Sequence, residues 1–136
     1  MTTLEQRMAI QAHDRVTAVK QGAGEYKQKY GTMAHKLPIL IHSAGLAQAL
    51  AFVESRDKPA HYPLLTDLAA TIELPGITSR EELARRSRSA ELDEYMFLTR
   101  RVVMALTWYK RFVESILKIQ AGDDDDRPAA TTGGAT

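Results

Sequence analysis

The feature that most constrains the fold is the segment LPILIHSAGLAQALAFVES at 37–55, in which Glu54 is the sole charged residue. A helix that is apolar on all sides lies in a protein interior, because no face of it suits water. Pro38 suits a first helical turn and not an interior, so we expect the helix to begin there. Gly45, Gln48 and His42 argue against a membrane span. The segment therefore predicts a buried central helix.

The two sides of this predicted helix differ in side-chain size. The bulky side carries Ile39, Leu46, Leu50 and Val53. The small side carries Ala44, Ala47 and Ala51. We expect the bulky side, with His42 and Phe52, to lie in the core and the small side to receive a second helix.

The rest of 1–121 also has helical spacing. Thr2 and Thr3 before Glu5 and Gln6 offer a capping box, and an apolar stripe follows at Leu4, Met8, Ala12, Val16, Val19 and Ala23. A second short helix is predicted around Tyr26 and Tyr30, up to Gly31. Pro63 opens a helix with Leu64, Leu65, Leu68, Ala69 and Ile72, which Pro75-Gly76 ends. Thr78 or Ser79 caps a short helix, and one long helix runs from about 90 to 120. The prediction is an all-α fold, a five- to six-helix bundle with one buried central helix and one long C-terminal helix.

The 136 residues suit a single domain at 1–121, followed by an acidic tail. Residues 122–136 hold four acids and one Arg, a charge of −3, which leaves 17 basic and 13 acidic residues, +4, in 1–121. Gly, Thr and Asp cannot bury enough apolar surface to order such a tail. We expect 122–136 to be disordered and Asp123 to Asp126 to be solvated, and we read the polar N-terminus as no signal peptide.

No motif for catalysis or metal binding stands out. Cysteine is absent, and the histidines form no HExxH or i,i+4 pair; they are His13, His35, His42 and His61. Of these, His42 is read as a hydrogen-bonded core residue and His61 as a loop residue. The acidic groups Glu81-Glu82 and Glu91/Asp93/Glu94 fall in helix first turns, where capping and the dipole explain them. We therefore expect no catalytic residue, metal or cofactor.

Basic residues form a stripe along the predicted long helix. At 100° per residue, Arg111 falls about 20° from Arg100, and Lys118 almost coincides with Arg100, opposite the apolar side. The core side holds Leu98, Val102, Ala105, Leu106, Tyr109, Phe112, Val113 and Ile116. Arg101 and Lys110 flank the stripe, and Trp108 lies toward it. The pattern fits phosphate contact with aromatic stacking, a solvated helix face or a protein interface.

Three segments together resemble the small helical subunit of the type III-B CRISPR effector, the Cmr complex. They are TLEQR at 3–7, HKLPILIHSAGLAQALAFVES at 35–55, and TRRVVMALTWYKRFVESILK at 99–118. The second is the most specific, with Lys36-Leu37-Pro38, Gly45-Leu46, Gln48 and Leu50-Ala51-Phe52. Ala44 departs from the family's pattern, which has Asn there.

The resemblance implies a non-catalytic subunit of an RNA-guided antiviral effector. Its partners would be other Cmr subunits, further copies of itself, and the guide RNA–target RNA duplex, with no membrane and no small-molecule substrate. It would be cytoplasmic and would read duplex shape and phosphates. The candidate nucleic-acid-binding residues are Arg100, Arg111, Lys118, Arg101, Lys110, Lys36 and Arg7.

Two other hypotheses stay open. A helical protein–protein adaptor without direct nucleic-acid contact is favoured if basic residues scatter over the surface. A small enzyme or metal protein is favoured if His and carboxylate side chains converge in one pocket.

Overall fold

The computed structural model describes residues 1–122, and in this range the chain is helical without strands. The helices are α1 (Leu4–Val19), α2 (Gly24–Ala44), α3 (Leu46–Ser55), α4 (Tyr62–Thr71), α5 (Arg80–Ser89) and α6 (Leu92–Phe112). A 3-10 turn at Pro59–His61 precedes α4, and a π-helical turn at Val113–Leu117 extends α6. The predicted all-α fold with a long C-terminal helix is confirmed. The predicted disorder of the tail concerns 122–136, of which 123–136 lie outside the described residues.

The first helix begins as its sequence indicates. The Thr3 hydroxyl accepts from the Gln6 N–H at 3.1 Å, and the Gln6 amide oxygen accepts from the Thr3 N–H at 2.8 Å. These reciprocal bonds form the predicted capping box. The buried residues of α1 are Met8, Ala12, Val16 and Val19. Ala23 follows the end of α1 and is exposed, so its placement on the stripe was wrong.

The predicted helix boundaries between 24 and 55 are wrong. One helix, α2, passes through both Gly31 and Pro38, and the break comes at Gly45. Gly45 has a φ of 89°, a backbone conformation that residues with a side chain rarely adopt. A Cβ there would also lie 3.0 Å from the Tyr95 hydroxyl. Pro38 removes one hydrogen bond from α2, yet Leu37 and Ile41 on either side of it are buried in the core. Burial thus keeps the helix intact past the proline.

The break at Gly45 also changes which side chains are buried. Leu46, Leu50 and Val53 lie in the core as predicted, whereas Ile39 is 68% exposed and Phe52 is 43% exposed. His42 is exposed as well, so it is no core histidine. The expectation failed because it assumed one continuous helix, whereas α2 and α3 are separate helices with separate buried sides.

Helices α4 and α5 follow the sequence pattern closely. The predicted apolar positions of the Pro63 helix are all buried; they are Leu64, Leu65, Leu68, Ala69 and Ile72. Ser79 caps α5, since its hydroxyl accepts from the Glu82 N–H at 3.2 Å. His61 was predicted in a loop and is instead completely buried in the 3-10 turn before α4.

A polar cluster links α1, α2, α4 and α6 inside the bundle. The Asp67 carboxylate accepts from the Tyr30 hydroxyl at 2.6 Å and from Arg15 Nη1 at 3.1 Å. The Tyr109 and Thr71 hydroxyls share a bond of 2.7 Å. Burial raises the pKa of Asp67, while the Tyr30 hydrogen bond and the Arg15 charge act to lower it. These bonds fix α6 against α4 and so orient the outer face of α6.

The chain beyond the π-helical turn is anchored to α2. The His35 ring N–H donates to the Ile119 carbonyl oxygen over 2.9 Å, and Ile119 is 5% exposed. A Cβ on Gly31 would lie 2.5 Å from Ile119 Cδ1, so the isoleucine packs directly on the glycine backbone. His35 is thus a buried, hydrogen-bonded residue of the fold.

Candidate nucleic-acid interface

Helix α6 separates an inner face from an outer face much as its sequence predicts. The inner face is buried and consists of Leu98, Val102, Ala105, Leu106 and Tyr109. Val113 is buried in the π-helical turn, while Phe112 and Ile116 are only partly buried. The opposite side of α6 is free to carry a site.

Three of the predicted site residues lie exposed on the outer face of α6. They are Arg100, Lys110 and Arg111. None of them has an ion pair or side-chain hydrogen bond within residues 1–122. Arg100 and Arg111 are separated by 11 positions, which corresponds to about 16 Å along a helix. The structure therefore brings three cations onto one face, none of them in an ion pair within residues 1–122.

Two other predicted site residues are engaged within the fold. Arg101 is partly buried, donates to the Ile72 carbonyl oxygen at 2.8 Å, and lies 5.0 Å from the centre of the Phe97 ring. Arg7 donates from Nε to both Glu73 carboxylate oxygens, at 3.1 and 3.0 Å. Because these guanidinium groups already have partners, a phosphate would have to displace them.

The last two candidates are not residues of α6. Lys36 is partly buried in α2. Lys118 is exposed, but it follows the π-helical turn and has a φ of 60°. The progression of 100° per residue stops before Lys118, so the wheel position that aligned it with Arg100 does not apply.

Trp108 contributes to a shallow depression beside Arg111. Its ring stacks on Phe112 with centroids 6.0 Å apart and planes at 20°. The depression has a volume of about 320 Å³ and is lined by Glu5, Met104, Thr107, Trp108 and Arg111. The partly buried indole presents an aromatic surface next to a cation, although the Glu5 carboxylate limits how close a phosphate can come.

Sequence reasoning missed an apolar portion of the same outer face. Leu92 is 70% exposed, Met96 47% and Val103 37%. On the helical wheel these residues fall within about 80° of Arg100, so the pattern could have revealed them. Exposed apolar side chains in a row are typical of a protein interface.

Sequence reasoning also missed two arginines on α5. Arg85 and Arg88 are exposed and lie one helical turn apart. The signal was the arginine-rich run at 80–88, in a segment that contributed little to the family resemblance.

The described residues hold no candidate for a metal site or a membrane span. Residues 1–122 contain no cluster of three or more His, Cys, Asp or Glu side chains placed to hold a metal ion. Within the same range no helix combines the length and apolar character needed to cross a membrane.

Comparisons with known proteins agree on one family. The family model described as "CRISPR-associated protein (Cas_Cmr5)" matches residues 4–116. The "CRISPR system Cmr subunit Cmr5" of Thermus thermophilus is 43% identical over 118 residues, which are 87% of this chain and 99% of that protein. The crystal structure of a CRISPR-associated Cmr5 family protein from the same organism matches with a TM-score of 0.76 at 43% identity, over 85% of this chain and 98% of that chain. Since both the family model and the relative cover most of its length, the chain belongs to the Cas_Cmr5 family, as the three segments of its sequence predicted.

Proposed function

We propose that this chain is a non-catalytic small subunit of the type III-B Cmr complex that stacks with further copies of itself and helps to hold the guide–target RNA duplex. The relative from Thermus thermophilus, a Cmr subunit by name, supports the membership. The observation that carries the RNA contact is the exposed set Arg100, Lys110 and Arg111, which has no ion pair among the residues that the structure describes. The proposed setting is the cytoplasm.

The chemistry of these cations suits a phosphate backbone. A guanidinium presents a rigid fork of N–H donors that matches two phosphate oxygens, and a lysine adds a point charge. Phosphate contacts position a nucleic acid without reading its sequence. A subunit with such contacts can serve any guide, because base pairing between guide and target supplies the specificity.

The outer face of α6 divides this work along its length. Leu92 and Met96 lie in its N-terminal half and offer apolar contact area to a neighbouring subunit. Lys110 and Arg111 lie in its C-terminal half with the Trp108 depression. Arg100 lies between them. In this proposal α6 borders two partners, a protein at one end and RNA at the other.

A second candidate function is an adaptor that joins Cmr subunits without touching RNA. The exposed side chains of Leu92, Met96 and Val103 favour it, because apolar surface is what a protein partner would cover. In this alternative, Arg100 and Arg111 form ion pairs with acids of a neighbouring subunit.

Charge reversal on α6 separates the two functions. The variant R100E/R111E is assembled into the complex, and its affinity for target RNA is measured across salt concentrations. A matched control, K20E/K27E, makes the same change in net charge outside α6. Because neither arginine has a partner within residues 1–122, we expect an unchanged fold.

The RNA-holding proposal predicts weaker binding for R100E/R111E and not for the control. The salt slope should fall by about 0.7–0.9 in log units for each phosphate that is no longer neutralised, and the weakening should be similar for unrelated target sequences. Glu5→Gln, which removes the carboxylate from the Trp108 depression, should act in the opposite direction. If R100E/R111E stays folded but fails to enter the complex, the adaptor is the correct function.

A further inference from the structure

Helix α5 contains four arginines, and two of them have structural partners. Arg80 pairs with Glu54 at 3.6 Å and Glu81 at 3.4 Å, and its guanidinium lies 3.8 Å from the centre of the Tyr62 ring. Arg86 pairs with Glu94 of α6 at 3.0 Å. These two arginines attach α5 to the neighbouring elements, and a ligand would have to break those ion pairs to bind them.

The other two arginines face outward and have no partner in the described residues. Arg85 and Arg88 are exposed, whereas Leu83, Ala84 and Ser87 form the buried side of α5. They lie one turn apart, about 4.5 Å along the axis. Such a spacing lets two long side chains reach the same phosphate or two consecutive ones. The exposed Ser89 beside them offers a hydroxyl donor.

Within residues 1–122 no acid forms an ion pair with Arg85 or Arg88, although the exposed Glu91 and Asp93 at the start of α6 are close to them in sequence. Glu81 and Glu94 form the ion pairs with Arg80 and Arg86. Glu82 accepts from the Thr78 backbone at 2.8 Å and from the Thr78 hydroxyl at 2.9 Å. Every acid of α5 is therefore bound to another group, and the positive charge of Arg85 and Arg88 points to solvent.

The exposed surface of α5 also differs in kind from that of α6. Its exposed residues are all polar; they are Glu81, Arg85, Arg88 and Ser89. Protein interfaces are enriched in aromatic residues, Met and Arg and depleted in Glu and Ser. The exposed Met96 of α6 fits that composition, whereas α5 exposes no aromatic residue or Met beside its arginines. The exposed Glu81 pairs with Arg80, which leaves two arginines and a serine without apolar contact area, a surface that fits a phosphate backbone better than the apolar centre of a protein interface.

We propose that Arg85 and Arg88, with Ser89, form a second RNA-phosphate-binding surface, separate from the cations of α6. The inference rests on the proposed function in that the RNA is taken to be that of the effector complex. The surface binds phosphodiester oxygens through two guanidinium forks and one hydroxyl and reads no bases. It extends the RNA contact of this subunit from one helix to two.

The test compares three variants in the assembled complex: R85E/R88E, R85K/R88K and the charge-matched control K20E/K27E. Affinity for a target RNA complementary to the guide is measured by filter binding over a series of salt concentrations, with melting temperature and assembly recorded for each. R85E/R88E should melt and assemble as wild type and lose at least about tenfold in affinity, with a salt slope lower by about 1.4–1.8, as expected for two phosphates. R85K/R88K should keep the slope, because the charge remains, and lose part of the affinity with the guanidinium fork.

The inference is overturned if R85E/R88E assembles and binds RNA with unchanged affinity and slope. It is equally overturned if the folded variant no longer enters the complex, since Arg85 and Arg88 would then contact a protein. R100E/R111E is measured in parallel. If only R100E/R111E weakens RNA binding, the α5 surface is ruled out and the proposed α6 contact stands. If only R85E/R88E weakens RNA binding, the α5 surface stands and the proposed α6 contact is ruled out.

Discussion

The inner and outer faces of α6 belong to the same helix but differ in burial and in residue type. The inner face is a row of fully buried apolar side chains with the Tyr109 hydroxyl bonded to Thr71. The outer face combines exposed cations with exposed apolar residues that no described element covers. We therefore expect inner positions to determine stability and outer positions to tolerate substitution and to be available for partners.

The largest effect should come from shortening a leucine on the inner face. Leu106 is completely buried, so Leu106→Ala removes buried methyl groups, leaves a cavity and should cost about 2–5 kcal/mol of unfolding free energy. Leu92→Ala makes the same chemical change at a residue that is 70% exposed and should stay within about 0.5 kcal/mol of wild type. Urea unfolding measures the unfolding free energies of both variants. Equal losses would show that the two faces of α6 contribute equally to stability.

A moderate effect is expected at the polar cluster beneath the inner face. Burial raises the pKa of Asp67 in the folded state, the largest of the influences on it. A raised folded-state pKa means a contribution to stability that is present below the unfolded pKa of about 4 and is lost as pH rises through the folded-state pKa. Wild type should therefore lose stability relative to Asp67→Asn as the pH rises above the unfolded pKa of about 4.

Unfolding free energies of the two proteins across that range provide the measurement. If the unfolding free energy of wild type instead rises relative to that of Asp67→Asn as pH rises, the ion pair with Arg15 outweighs burial, and the cluster stabilises the charged carboxylate.

The smallest effect on stability should come from the apolar part of the outer face. Met96 is 47% exposed, so Met96→Glu should change the unfolding free energy by no more than about 0.5 kcal/mol. In the proposed complex the new charge would be buried against a neighbouring subunit, and incorporation should fail. Gel filtration of the reconstituted complex gives the readout, with Gln21→Glu as an exposed control that makes the same change in net charge outside α6. Normal incorporation of Met96→Glu would place the protein contact elsewhere.

The sequence predicted the fold where local signals and packing agree. In α1 the capping box and the apolar spacing both hold, and the stripe from Met8 to Val19 is buried. In α2 they conflict, since Pro38 signals a helix start but lies inside a helix whose Leu37 and Ile41 are buried. At the break, the hydroxyl of Tyr95, which is distant in sequence, lies close to Gly45 and accepts from the Ala47 N–H at 3.1 Å. Local sequence patterns do not predict such tertiary contacts.

The candidate site was predictable to the same extent. A helical wheel was sufficient to bring Arg100, Lys110 and Arg111 to the outer face of α6, because it depends on local geometry alone. It could not show that Arg7 pairs with Glu73, 66 residues away, or that Arg101 bonds to Ile72, 29 residues away. Whether a basic side chain is available depends on such tertiary partners.

Photocrosslinking from the outer face of α6 tests the central claim most directly. A photoreactive residue replaces Thr107, which lines the Trp108 depression without carrying charge, and a second variant carries it at Met96. In the complex bound to target RNA, we expect position 107 to crosslink to RNA and position 96 to crosslink to a protein subunit. Crosslinking of position 107 to protein alone, with the RNA bound, would show that this part of α6 contacts a protein and not RNA.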